Sequence, residues 1–320
     1  MSSLEAPRMR RPTELVRAAA VARSYYLDGR SKSEIAEEFG ISRFKVARIL
    51  DQAKEAGLVR IEIRAPAGID DALSEQVRKA FDLRHVIVVA TDGHNEVELR
   101  SSLAHTATAL LSEIVTEADV VGIGYGRTLT IMAQTMDALA RCPIVQLTGA
   151  LLGVNRDENS VELVRQISGR NGGPAYPMYT PQVLPDAATA ATLRKQPEVA
   201  ETYRQFARVT KAVVAVGSWN PASSQLYDSL PEAERQALLK QGVAAEVCAT
   251  LLDVQGNTVA PEFSERCISI TGEQLRAIED VIAVAGGPHK VAAVRSVILG
   301  GHAKSLITDT TLARALMETT

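Results

Sequence analysis

The stretch Gly122 to Thr130, "GIGYGRTLT", follows an apolar run and sets glycines at 122, 124 and 126 ahead of Arg127 and Thr128. Glycines so spaced let the backbone turn tightly. Thr128 can cap the helix that follows, and the free amides at a helix start attract an anion. The pattern is not the dinucleotide fingerprint, because it reads G-x-G-x-G and Arg127 stands where a third glycine would allow close packing. Nor is it a triphosphate loop, since no Gly-Lys-Ser/Thr follows. A phosphate or other compact anion is the natural guest, and turn geometry alone is the plain alternative.

Three other apolar runs end in polar groups: Thr148 and Gly149 after "PIVQL", Glu246 and Asp253 around "VCATLLDVQG", and "GGPHK", Gly286 to Lys290, after "DVIAVA". Lys290 opens a helix whose dipole disfavours a cation, so an anionic partner is expected to hold it. Catalysis would need a positioned base and a proton relay. The histidines at 85, 94, 105, 289 and 302 form no such constellation, and His289 alone ends an apolar run. No metal or cofactor site is expected. Cys142, Cys248 and Cys267 are odd in number, widely spaced and set among apolar residues, as reduced buried thiols are.

The elements that must position these groups alternate. Apolar, β-branched runs at 85–90, 118–126, 143–149, 211–219, 247–256, 280–287 and 305–310 are separated by helix-length segments such as Asn95 to Val115, Thr128 to Ala140 and His289 to Leu299. Such alternation predicts an open, mostly parallel α/β sheet covered on both faces, whose ligands gather at the carboxyl ends of the strands. The Gly- and Pro-rich segment 168–186 is read as a loop over that site. Asp70 to Phe81, with Leu73, Val77 and Phe81 on one side, is a connecting helix or a dimerisation element.

A second constellation lies near the start, "SKSEIAEEFGISRFKVARILDQAKEAGLV", Ser31 to Val59. Ser31 or Ser33 can cap a first helix, Gly40 permits a sharp turn, and Ser42 can cap a second helix whose Val46, Ile49, Leu50 and Ala53 make one buried stripe. Opposite that stripe fall Phe44 and Arg48, with Lys45 and Gln52 on one flank and Arg43 near the other. The cations occupy the N-terminal half of the second helix, the end that a helix-turn-helix inserts into the major groove. A preceding helix over Thr13 to Leu27, a basic arm carrying Arg8, Arg10 and Arg11, and a strand over Val59 to Arg64 serving as a wing complete the module.

The charge of the chain divides accordingly. Of 320 residues with a formal net charge of -3, residues 1–64 hold 13 Lys and Arg against 9 Asp and Glu, and the remainder 22 against 29. That asymmetry suggests a nucleic-acid module at 1–64 and a larger body of different purpose at 65–320, joined near Ala65-Pro66-Ala67-Gly68. No signal peptide is evident and no apolar run approaches the ~18 residues of a membrane span, so a soluble cytoplasmic protein is expected.

The helix-turn-helix stretch followed in order by "GIGYGRTL", "VQLTGAL", "LDVQG" and "AGGPHKVAAVRSVILGGHAKSLITDTTLARALMETT" resembles the SorC family of bacterial transcriptional regulators, from about Thr13 to the C-terminus. The resemblance implies operator DNA as one partner, a phosphorylated sugar as effector, and an effector domain related in fold to sugar-phosphate isomerases and deaminases. It implies a homodimer or homotetramer. By the same resemblance Gly124, Gly126, Arg127 and Thr128 form the phosphate loop, Lys290 is the effector-contacting lysine, and Glu246 or Asp253 stands near the sugar hydroxyls. The sequence departs from the family at Ser42-Arg43-Phe44, where a small residue or proline more often follows the arginine; this bears on the operator sequence. The alternative from another class is a sugar-phosphate isomerase or deaminase-like enzyme with an appended DNA-binding domain.

Overall fold

In the computed structural model, which describes residues 12–59, 68–90, 95–136, 139–151 and 160–319, Ser31 is the serine that caps. Its hydroxyl accepts from the Glu34 amide at 3.3 Å while the Glu34 carboxylate accepts from the Ser31 amide at 2.8 Å, a reciprocal box that starts α2 (Lys32–Glu38). Ser42 accepts from the Lys45 amide at 3.2 Å and starts α3 (Arg43–Glu55). Between them Gly40 takes a φ of 58°, which a β-carbon would strain. α1 (Pro12–Tyr26) supplies Val21 and Ala22 to the core that Ile35, Val46, Leu50 and Ala53 close. This small unit spans Met1–Arg64 and the larger one Ala65–Thr320. The basic arm, most of the wing and most of the linker lie outside the described residues.

The larger unit holds seven parallel strands: β1 (Val86–Val89), β2 (Val121–Ile123), β3 (Ile144–Gln146), β4 (Ala175–Tyr176), β5 (Lys211–Ala215), and, after four further strands, β10 (Asp280–Val284) and β11 (Ser305–Asp309). Their order across the sheet is β1-β11-β10-β5-β2-β3-β4. β2, β3, β10 and β11 are buried along their whole length, as strands covered on both faces must be. Helices Glu96–Ile114 and Arg127–Thr135 pack one apolar layer against the sheet, including Leu103, Leu111, Leu129 and Met132.

Two predicted strands are different from their reading. The run 211–219 breaks at Val216 into β5 and β6 (Gly217–Trp219), and β6 leaves the parallel sheet. The run 247–256 is no parallel strand: β8 (Ala245–Val247) and β9 (Thr250–Leu252) form a hairpin that joins β6 and β7 (Ala222–Ser223) in a second, antiparallel sheet, ordered β7-β6-β8-β9. A short continuous apolar run fits either kind of buried strand, and periodicity cannot separate them. The segment 168–186 is also corrected. It contains a helix end and β4, its Gln182 amide donates to Ala150 and its Val183 pairs with Cys267, so it is woven into the body, and none of its residues lines the cavity described below.

Candidate functional site

β2 and β5 are neighbours, with β3 and β4 continuing to one side and β10 and β11 to the other. The strand order therefore reverses between β2 and β5, and in open α/β sheets the crevice beyond such a pair of carboxyl ends is where ligands bind. A cavity of about 80 Å³ lies there, and Gly126, Arg127, Thr128, Glu246 and Lys290 all line it. The space is smaller than the roughly 300–1,000 Å³ of formed ligand pockets.

Each wall has a local cause. Gly126 takes a φ of 152°, and a β-carbon there would sit 2.6 Å from that of Ala215, so glycine alone lets the β2 end approach β5. The helix Arg127–Thr135 begins on Gly126 with no side-chain cap; Thr128 lies inside its first turn and is not the cap that the spacing predicts. Its first amides are thus left for a guest. Arg127 reaches Asp228 at 3.5 Å across the mouth.

Opposite stands Glu246 on β8, 3% exposed, accepting from the Tyr125 hydroxyl at 2.9 Å and the Ser224 hydroxyl at 3.0 Å. Burial pushes its carboxyl above the usual range, against the pull of those two donors. Gly217 faces it in register, and a β-carbon at 217 would lie 2.3 Å from Glu246 Oε1. Lys290 follows β10 on a short turn, Pro288–Lys290, and donates to the Val216 carbonyl at 2.7 Å. Burial brings its ammonium down to about 8; the charge of Glu246 opposes this, and Arg100 and Arg127 add to it. His289 also lines the cavity, its imidazole shifted down by burial and by the charge of Lys290. Among the described residues no group of His, Cys, Asp and Glu could hold a metal ion.

Gly124, Thr148, Gly149 and Asp253 do not line this cavity. Gly124 is buried under it, where a β-carbon would meet Cys248 Sγ at 3.4 Å and the Val213 carbonyl oxygen at 3.4 Å. Past β3 the chain bends to pair Thr148 with Ser269, and the Gly149 amide donates to the Ile268 carbonyl at 2.7 Å. Gly149 serves packing, since a β-carbon would stand 2.8 Å from the Pro181 carbonyl. Asp253 closes the turn after β9, accepting from the Gln255 and Asn257 amides at 2.9 Å each. Of the two acids left open by the resemblance, Glu246 is the one at the cavity. The sequence reading missed Tyr125, Ser224 and Gly217, which meet at Glu246 from distant parts of the chain, and also Glu96 and Arg100. Tyr125 lay inside the glycine stretch and could have been named.

In the small unit Arg43, Phe44, Lys45 and Arg48 are all exposed on α3, and Gln52 is half-buried. Phe44 is 88% exposed. A large bare aromatic beside three cations is out of place on a free surface but suits contact with thymine methyls in a major groove.

A family model described as a sugar-binding domain matches residues 66–318, and one described as a helix-turn-helix domain matches residues 16–64. A transcriptional regulator of Escherichia coli K12, YjhU, is 29% identical over 303 residues, covering 92% of each chain. The deoxyribonucleoside regulator of Bacillus subtilis is 28% identical, covering 92% of this chain and 95% of its own. The crystal structure of the full-length sorbitol operon regulator SorC from Klebsiella pneumoniae superposes with a TM-score of 0.74 at 20% identity, covering 95% of this chain and 99% of that one. None of these three relatives is named as an enzyme.

Proposed function

Because the chain belongs to the SorC family, helix-turn-helix regulators with a sugar-binding domain, we propose that it is a transcriptional regulator whose affinity for operator DNA is set by a phosphorylated sugar. One observation supports the choice of effector above the rest: Lys290, Arg127 and the uncapped helix start at Gly126 converge on one cavity at the sheet's switch point. A phosphate desolvated there meets charge-assisted donors and backbone amides together. Glu246, with Tyr125 and Ser224, offers acceptors and hydroxyls to the sugar end.

The mechanism is linkage. An effector that prefers one arrangement of subunits moves paired α3 helices onto or off their half-site spacing. The protein self-associates through the larger unit, because one such helix supplies too few contacts and symmetry doubles them. No helix among the described residues is long and apolar enough to cross a membrane.

The test is a titration of fluorescent operator DNA with the full-length protein, alone and with a panel of sugars and sugar phosphates, alongside sedimentation of the same samples. Phosphorylated members are expected to move operator affinity and free sugars are not. Equal effects of both, or a monomer at micromolar concentration with and without DNA, would overturn the reading. In the same assay Arg48→Ala and Phe44→Ala are each expected to cost roughly 1 to 3 kcal/mol on the specific site with effector binding unchanged. Arg43→Ala should weaken all DNA alike and flatten the salt dependence. Equal losses on specific and random DNA for Arg48→Ala would contradict the orientation assigned to α3.

A further inference from the structure

Arg100 is carried by the helix Glu96–Ile114, not by a loop at a strand end, and it lines the cavity beside Glu96. The two form an ion pair one helical turn apart, with the Arg100 side chain 26% exposed and that of Glu96 61% exposed. The helix cannot drift from the site. Leu99 and Leu103 press on Gly286, where a β-carbon would lie 2.6 Å from Leu103 Cδ1 and 3.2 Å from Leu99 Cδ2. The adjoining Gly287 amide is held by the buried Asp309 carboxylate at 2.7 Å. Arg100 is therefore delivered to the rim by a rigid element.

Its charge acts on the site. Arg100 and Arg127 both push the Lys290 ammonium down, so Lys290 has a guanidinium influence from two separate elements. Three cations drawn around one small cavity repel one another, and each has an acidic counterweight: Glu96 for Arg100, Asp228 for Arg127, and the charge of Glu246 for Lys290. The Glu96 contact is the expendable one, because a pair between neighbours on an exposed helix face contributes little to stability. Two oxygens of a tetrahedral phosphoryl group can accept together from the planar fork of a guanidinium, and its dianion carries more charge than the Glu96 carboxylate.

We propose that Arg100 is a specificity-determining contact for a phosphoryl group of the effector, and that Glu96 is its intramolecular competitor. This rests on the reading of the cavity as a phosphorylated-effector site. The oxyanion takes the place of the Glu96 carboxylate on the guanidinium. It belongs either to the phosphate that faces Gly126 or to a second one at the other end of the ligand.

Calorimetry on the full-length protein with inorganic phosphate, ribose 5-phosphate, glucose 6-phosphate and fructose 1,6-bisphosphate tests it. Arg100→Gln is expected to weaken binding about tenfold or more, the scale of one lost charge-assisted contact. Arg100→Lys should recover part of that loss, and Glu96→Gln should tighten binding by removing the competitor. Loss on every phosphate that binds places Arg100 on the shared phosphate; loss on the bisphosphate alone places it on the second. Unchanged binding in Arg100→Gln overturns the proposal. So does equal weakening in Glu96→Gln, which would make the pair a mere prop for the helix. Should Arg100→Gln fail to fold, Glu96→Gln decides: tighter binding upholds the competitor, and unchanged or weaker binding refutes it. A wild-type protein that binds none of the phosphates would instead remove the phosphorylated-effector reading itself.

Discussion

Lys290→Ala is expected to remove at least ~2 kcal/mol of effector affinity, the scale of truncating one partner of a buried charge pair, while the effector-free protein binds its operator as before. The ammonium is half-buried at the cavity wall and the Val216 carbonyl aims it. In the variant the phosphate would keep its amides and Arg127 but lose a desolvated counter-charge, and the desolvation cost of the anion would remain. The same group predicts a pH profile. Burial brings Lys290 to about 8 in the free protein, and a bound anion must raise that value. Binding therefore takes up a proton above pH 8, so affinity falls as pH rises through 8. On the acid side the phosphate reaches its dianionic form only above its second pKa of about 6, so affinity rises through 6. The expected curve is a plateau between those limits, and Lys290→Ala should lose the alkaline limb alone. Calorimetry in buffers of differing ionisation enthalpy reads the proton uptake directly. An alkaline limb that survives in Lys290→Ala would assign the titration to another group.

The second large effect belongs to a residue with no side chain. Gly217→Ala would set a β-carbon 2.3 Å from Glu246 Oε1, 2.6 Å from its Cγ and 2.8 Å from its Cδ. Neither partner can step aside without losing contacts. The register of β6 on β8 places the two residues opposite each other, and the carboxylate is anchored by Tyr125 and Ser224. Overpacking of this kind costs about 1–3 kcal/mol of stability, and here it also drives the acid out of the position from which it meets the guest. The expected result is a lower melting temperature, effector binding below detection and operator binding retained. Adding Glu246→Ala should restore much of the stability by clearing the clash, yet leave the effector unbound. That departure from additivity separates a steric cause from general weakening of the strand. Full effector affinity in Gly217→Ala would mean that Glu246 plays no part in the site.

The helix-turn-helix stretch was legible almost to the residue, because what shapes it is local: Ser31 with Glu34, Gly40 with its positive φ, and Ser42 followed by an apolar stripe. Caps and turns depend on neighbours three or four positions away, and those are visible in a string of letters. The parallel sheet was legible as a class, since β-branched runs alternating with helices leave few other architectures open. Its exceptions were the pieces whose partners are distant. Ala215 ends one strand and Gly217 begins another in a different sheet within a single apolar run, and a turn through Cys248 and Ala249, both with positive φ, gives no letter that announces it.

The candidate site divides in the same way. Gly126, Arg127 and Lys290 could be read from the sequence because glycine freedom and charge at a helix start are properties of short segments. Which polar groups then meet was decided by tertiary structure alone. Thr148 and Gly149 follow an apolar run as Gly126 does, yet the chain past β3 turns to bond Ser269 and Ile268 and takes them out of the cavity. Asp253 and Glu246 are equal as letters, but one closes its own turn in solvent and the other is enclosed between Tyr125, Ser224 and Gly217. Sequence determined where the chain can bend and where charge resides; the crossing of strands far apart in the chain determined which of those charges face a common space, because burial and proximity are set by the packing of whole elements.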